Sequence, residues 1–448
     1  MRKLQVPQRM RRLAVEGLES RSMLATVFNA GGLLFIQGTG AVDDVTVTQT
    51  ANGQFAVTQI IGGVESTTNY PAAFGIYADL GGGNDFLQLG EPERPLPLLT
   101  SVTLRLGDGS DAANIHVNIP GQVFIDGGIQ FGGAAQNDSI FIDRSIIGSL
   151  LVNTYGGDDE LFVHRSGVLN LIGNLGGEGI LAGPTDNDYV DFFDSAIGSA
   201  LLMLGGSAGE FGNEVLASST IFGMLTINGG NGVDAIAIDS EGDGFGFWVP
   251  SHIVNTAETL EPLLDSFLAR LPIGSLLGNL DGLLERLPEL GGISLPGGID
   301  LGDVLGLIGS IDLDEFDLSD TLEDLLEDVD LSFVGDITVM GLLNINTGGG
   351  ADLVNIQSSG VLASATINTG DGADEVNLFG FNVPGTLTVM LGSGADDLRL
   401  IGVSSSIAFL DGGAGSDGLL NVESTGLGRR LRSILNFERP LPNPLEAL

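Results

Sequence analysis

Seven aspartates close a glycine-spaced stretch of the form G-x-G-x-D: Gly81–Asp85, Gly107–Asp111, Gly230–Asp234, Gly348–Asp352, Gly370–Asp374, Gly392–Asp396 and Gly413–Asp417. Weaker copies end at Asp138, Asp159, Asp188 and Glu214. If the turns that carry them stack in register, their carboxylates lie about 4.8 Å apart, one strand spacing. Two like charges at that distance repel by roughly 3 to 4 kcal/mol at an effective dielectric near 20. A column of them needs splaying into water, protonation, or a cation. Calcium is the cation that suits it, because it takes six to eight oxygens from carboxylates and turn carbonyls. The candidate ligands are Asp85, Asp111, Asp159, Asp234, Asp352, Asp374, Asp396, Asp411 and Asp417. The alternative is that aspartate only shapes the turn, since it tolerates turn conformations and caps them with its side chain.

A second constellation lies five residues after the aspartate. It holds His116, Asp143 and His164 in three successive repeats, with Arg144 and Arg165 just beyond. In register, this row could ligate zinc or orient a general base. The plainer reading is a surface ladder in which Asp143 pairs with its neighbours.

These residues must be positioned by a repeat. Asp352, Asp374, Asp396 and Asp417 follow one another at intervals of 22, 22 and 21 residues, and the N-terminal intervals run from 20 to 29. A fixed period of this size marks a solenoid. Two and four residues after the aspartate the chain is apolar: Leu87 and Leu89, Ile140 and Ile142, Leu161 and Val163, Ile236 and Ile238, Val354 and Ile356, Val376 and Leu378, Leu398 and Leu400. That alternation is a half-buried strand. Another strand precedes each turn, as at Leu150–Asn153, Leu225–Asn228 and Leu387–Met390. The residue six before the aspartate is Asp79, Asn153, Asn228, Asn346, Asn368 or Asp411, which predicts an amide ladder along the stack. The expected fold is all-β, a parallel β-helix or β-solenoid with about 20–29 residues per coil, interrupted by a leucine-rich helical insertion.

The segments follow from composition. Residues 1–26 are a basic N-terminal targeting segment, 27–75 a β cap, 76–240 a first array, 241–335 an acidic, mostly helical insertion, 336–425 a second array, and 426–448 a basic, proline-containing tail. In the insertion, Leu260, Leu263, Leu264, Phe267, Leu268 and Leu271 fall at helical spacing. The chain carries 58 acidic against 17 basic side chains, a net charge of −41, which excludes nucleic acid as a partner. With no cysteine there is neither a disulfide framework nor thiolate chemistry. No apolar run is long enough for a spanning helix.

Two resemblances carry the functional expectation. GGGND at 81–85, GDGAD at 370–374 and DGGAGSD at 411–417 resemble hemolysin-type calcium-binding (RTX) repeats. That resemblance implies calcium held by turn carbonyls and aspartates of a parallel β-roll. The family's repeats follow every nine residues, whereas here one turn recurs every 22 or so. Leu18–Leu24, LESRSML, resembles the LEPR-xLL motif of large bacterial surface proteins, with Ser20 for its proline and Met23 for its first leucine, and implies export or display. The expectation is a secreted or cell-surface calcium-binding repeat protein, structural or adhesive, with matrix or envelope partners and no enzymatic activity. The alternative is an extracellular polysaccharide-active β-helix lyase or hydrolase, for which Arg144, Arg165, His116 and His164 are the available groups. One lysine, one tryptophan and four tyrosines make a poor sugar platform.

Overall fold

A computed structural model describes residues 25–61, 64–97, 99–128, 136–176, 187–205, 212–239, 339–422, 424 and 434–441. Among these residues the regular structure is entirely β. The expected helices of 241–335 and the targeting segment lie outside them, apart from its last two residues.

Each coil is strand, glycine turn, strand. Ile221–Gly230 runs into the turn that ends at Asp234, and Ala235–Asp239 leaves it. The next coil repeats this as Leu342–Gly348 and Leu353–Gln357. The first strand of every coil joins a 14-stranded sheet and the second a 15-stranded sheet. Pairing between coils is parallel and in register, Leu225 opposite Leu343 and Ile236 opposite Val354. This is the predicted solenoid.

The alternation explains the shape. Ile236, Ile238, Val354, Ile356, Val376 and Leu378 all point inward and are buried. Leu225, Ile227, Leu343 and Ile345 meet them from the other sheet, so the core is one continuous apolar column from Leu34 to Leu410. A single coil has no second layer to bury its apolar face; stacking supplies it.

The glycines answer to close stacking. A Cβ on Gly394, whose φ is +152°, would sit 1.3 Å from the carbonyl oxygen of Gly372 in the coil before. The first glycine of the turn is held at φ +93° in Gly370, a region that side chains rarely adopt.

Two boundaries differ from the sequence reading. The two arrays are one solenoid: both sheets pass from residues before 240 to residues after 338 without losing register. Residues 27–75 hold the first coil as well as the cap. Leu33–Thr39 and Asp44–Gln49 pair in parallel with Gly75–Gly81 and Phe86–Leu89. Thr26–Ala30 and the hairpin Phe55–Ile61/Val64–Tyr70 add antiparallel strands at that end. At the other end Ile434–Leu435 and Arg439–Pro440, from the basic tail, extend both sheets by two residues each.

Candidate functional site

The aspartates form one column, as the repeat predicts, but they face inward. Asp85, Asp111, Asp138, Asp234, Asp352, Asp374, Asp396 and Asp417 are at most 3% exposed. Each backbone N–H at this position donates to the side chain of the equivalent residue in the next coil. Asp43 donates to Asp85 Oδ1 at 2.7 Å, Asp85 to Asp111 at 2.7 Å and Asp111 to Asp138 at 2.9 Å. The series continues through Asp159, Asp188, Asn213, Asp234, Asp352, Asp374, Asp396 and Asp417. It ends where Asp417 donates to Glu438 Oε2 at 3.0 Å.

The local reason is geometric. The residue after a glycine turn begins a strand, and its N–H points along the stack before the sheet ladder has begun. A carboxyl one strand spacing away satisfies that buried donor, which is otherwise expensive to leave unpaired.

Eight of the nine sequence-predicted ligands stand in this column. Asp411 does not. It lies in the first sheet, on the row of residues six before the aspartate, and its Oδ1 accepts from Gly413 N–H and Asn436 Nδ2. That row is the predicted amide ladder in part: Asn368 Nδ2 donates to Asn346 Oδ1 at 2.7 Å, while Met203 and Met390 occupy other rungs. The column also holds Asp43, Asn213 and Glu438, which the glycine pattern missed. Apolar residues two and four positions later identify the first two: Val45 and Val47 after Asp43, Val215 and Ala217 after Asn213. The same rule moves the rung assigned to Glu214 back by one residue.

The second carboxyl oxygens are the chemically open feature. Oδ2 of Asp85, Asp111, Asp138, Asp234, Asp396 and Asp417 is buried without a hydrogen-bond partner, while the Asp374 carboxyl is bonded by the Thr369 side chain. These atoms pack against the residue that precedes the first glycine of the turn. A Cβ on Gly127 would lie 2.1 Å from Asp138 Oδ2, and one on Gly229 1.9 Å from Asp234 Oδ2. Thr347 and Thr369 fill that place in two coils of the second half, and Thr347 Oγ1 lies 2.6 Å from Asp352 Oδ2. Two rungs differ. Asp188 Oδ2 accepts the Gly205 N–H, and Asp43 Oδ2 accepts the N–H and hydroxyl of Thr39.

Burial raises the pKa values of the column. Loss of hydration pushes Asp138 up to about 8, Asp85 and Asp234 to about 7, and Asp111 and Asp396 to about 6. Asp352 and Asp374 move the same way. Adjacent carboxylates add to the rise and the N–H bond opposes it.

Calcium needs six to eight oxygens converging at 2.3–2.6 Å. The oxygens of this column do not fit it as they stand. Oδ1 is already an acceptor, and the turn carbonyls of Gly81, Gly348, Gly370 and Gly392 accept N–H groups from the next coil. Among the described residues no three His, Asp or Glu side chains converge as a metal cluster.

The opposite corner carries the His–Asp–His row. Register places Asp143 beside His164, as the spacing predicts. The side chains pair otherwise. Arg165 bonds the buried Asp143 carboxylate through Nε at 2.8 Å and Nη2 at 2.6 Å. His116 Nδ1 lies 3.0 Å from the Asp143 backbone carbonyl, and His164 Nε2 lies 3.0 Å from Asp191 Oδ2. Asp143 is thus shared by Arg165 and His116, whose Nδ1 also lies 3.8 Å from Asp143 Oδ2, while His164 pairs with Asp191 and Arg144 reaches Glu93.

Sequence reasoning missed a second ladder at this corner. Ser145, Ser166, Ser195 and Thr220 accept, through their hydroxyl oxygens, the N–H groups of Val117, Ser145, Ser166 and Ser195. Each hydroxyl donates to the carbonyl two residues before it. The signal was a small hydroxylic residue two positions after the last outward residue of the strand. Both corners thus use the same device, with a neutral acceptor at one and a carboxyl at the other. No family model matches the chain, and no curated protein or solved structure is significantly similar to it.

Proposed function

We propose that the protein is an extracellular or cell-surface structural repeat protein, a stiff acidic rod with a scaffolding or adhesive role. The observation that carries this reading is the side-chain ladder from Asp43 to Glu438, unbroken from the first coil to the last. The column that concentrates the chain's chemical signal is committed to holding coils together. At the other corner, His116, Arg144, His164 and Arg165, the groups an enzyme would use, are engaged in structural contacts. Both observations favour a scaffold over a polysaccharide-active enzyme. The LESRSML segment and the net charge of −41 favour life outside the cell, where a strongly acidic surface stays soluble and repels like surfaces.

Calcium in the column, the expectation from the glycine–aspartate turns, is the part of this reading that the oxygen set supports least. Its test is a thermal melt in EDTA and then in millimolar calcium. A ligand that binds only the folded chain at 100 times its Kd adds about 2.7 kcal/mol, several degrees in Tm. The location is tested by external protease treatment of intact native cells carrying a tagged chain. Digestion of the tagged protein supports the proposal, and complete protection overturns it.

A further inference from the structure

The column of buried carboxyls poses a charge problem that the glycine turns do not solve. Ionised, its rungs would repel at one strand spacing with no water between them, and each would carry several kcal/mol of desolvation. The facing groups make this worse. Asp43 and Asp111 face Asp85, Asp108 faces Asp111, and Asp159, Asp111 and Asp126 face Asp138. Asp352 faces Asp234, Asp374 faces Asp352, Asp371 faces Asp374, and Asp374, Asp417 and Asp397 face Asp396. Arg439, at the C-terminal end, bonds the Asp397 carboxylate and the Asp396 backbone carbonyl rather than the carboxyl of a rung.

We propose that the column binds protons where a calcium-binding repeat would bind metal: its central rungs are neutral aspartic acids, and the solenoid loosens as they ionise.

Two observations carry this. First, Oδ2 of Asp85, Asp111, Asp138, Asp234, Asp396 and Asp417 is buried without a hydrogen-bond partner, and a neutral buried oxygen is far less costly than a buried charge. Asp352 is different, because Thr347 Oγ1 donates to its Oδ2 at 2.6 Å. Second, the chain already contains a neutral rung. Asn213 accepts the Asp188 N–H through Oδ1, and its Nδ2 donates to the carbonyls of Gly205 and Gly229. An amide is the uncharged isostere of a protonated carboxyl, and it sits in the column with the same ladder bond. Asp188 differs from the other rungs, because it accepts N–H groups on both oxygens, from Asp159 at Oδ1 and Gly205 at Oδ2.

The sign of the effect follows from linkage. The folded chain holds protons that the unfolded chain, with aspartates near 3.8, has released. This stabilisation is complete below about pH 4 and drains as pH rises through the window of about 6 to 8 set by these groups. Exposed carboxylates are already ionised at pH 6 and contribute no change above it.

Two measurements on the full chain decide the matter. Infrared spectroscopy at pH 6 should show a carboxylic-acid carbonyl band that vanishes on unfolding; its absence overturns the proposal. Melting in EDTA from pH 6 to pH 8.5 should show Tm falling by at least about 5 °C. A flat or rising Tm overturns it. The variants Asp138→Asn and Asp234→Asn assign the fall to the column. Their fall should be clearly smaller than that of the native chain, and an undiminished fall counts against the column. A Tm that rises by several degrees with calcium at pH 7.5 would overturn the neutral column in favour of a metal-bound one. None of these readouts depends on where the protein resides, so they can fail while the surface assignment stands.

Discussion

The amide of Asp234 donates to Oδ1 of Asp352 at 2.9 Å, although 118 residues separate them in sequence. The bond is one rung among many of the same length, and the strands on either side pair without a slip. Residues 240–338 are therefore an insertion in the sequence between two adjacent coils. An insertion of this length is compatible with the stack because closure entropy grows only slowly with length.

Replacing residues 240–337 by a Ser-Thr pair, the link that joins Glu214–Ser218 to Ile221–Gly230, should leave a folded solenoid. Far-ultraviolet circular dichroism should keep its β signature and the melt should stay cooperative, with Tm within about 5 °C of the full chain. Loss of the cooperative transition would show that the inserted segment holds the two halves together.

Asp374→Ala removes the acceptor of the Asp352 N–H and leaves that donor buried and unpaired. It should cost about 2–3 kcal/mol by denaturant unfolding at pH 7. Asp374→Asn keeps the acceptor without the charge and should cost less than about 1 kcal/mol. Equal losses for the two variants would mean that the charge itself, and not the acceptor, stabilises the stack.

Gly394→Ala drives a methyl group into the carbonyl of Gly372 at a backbone angle that disfavours side chains. A loss of at least about 3 kcal/mol is expected. Gly40, with no atom within 4 Å of a built Cβ, is the control and should accept alanine within about 1 kcal/mol.

Arg165→Met strands the Asp143 carboxylate, which is 2% exposed, while Arg165 itself is 38% exposed. The partial exposure of the arginine discounts the loss to about 1–3 kcal/mol. Adding Asp143→Asn should recover most of it, because the stranded charge is then gone. No recovery in the double variant would place the contribution of Arg165 in packing rather than in the ion pair.

Much of this architecture was legible because a strand pattern of period two cannot be shifted by one residue without exposing its apolar face. The residues two and four after each aspartate therefore fixed coil, register and column together. What could not be read was the direction of the aspartate side chain. A net charge of −41 and glycine-rich turns both suggest a carboxyl in water, and only the stacked backbone shows a donor waiting one coil away. Asp411 illustrates the limit. It lies beside a glycine turn, as the others do, yet it begins the turn rather than ending it, and so it falls on the outer row. The serine ladder escaped notice because Ser145, Ser166 and Ser195 sit where any loop might carry serine. The continuity across residue 240 was hidden by sequence distance, which stacking does not respect.

Every rung of the column donates toward the C-terminus and accepts from the N-terminal side, so the rod is mechanically directional. At its N-terminal end the antiparallel strands Thr26–Ala30 and Phe55–Tyr70 clamp the first coil. At the other end two-residue strands and a single glutamate, Glu438, hold the last one. Under tension the solenoid is expected to yield first at the Ile434–Pro440 end, where each sheet pairs over only two residues.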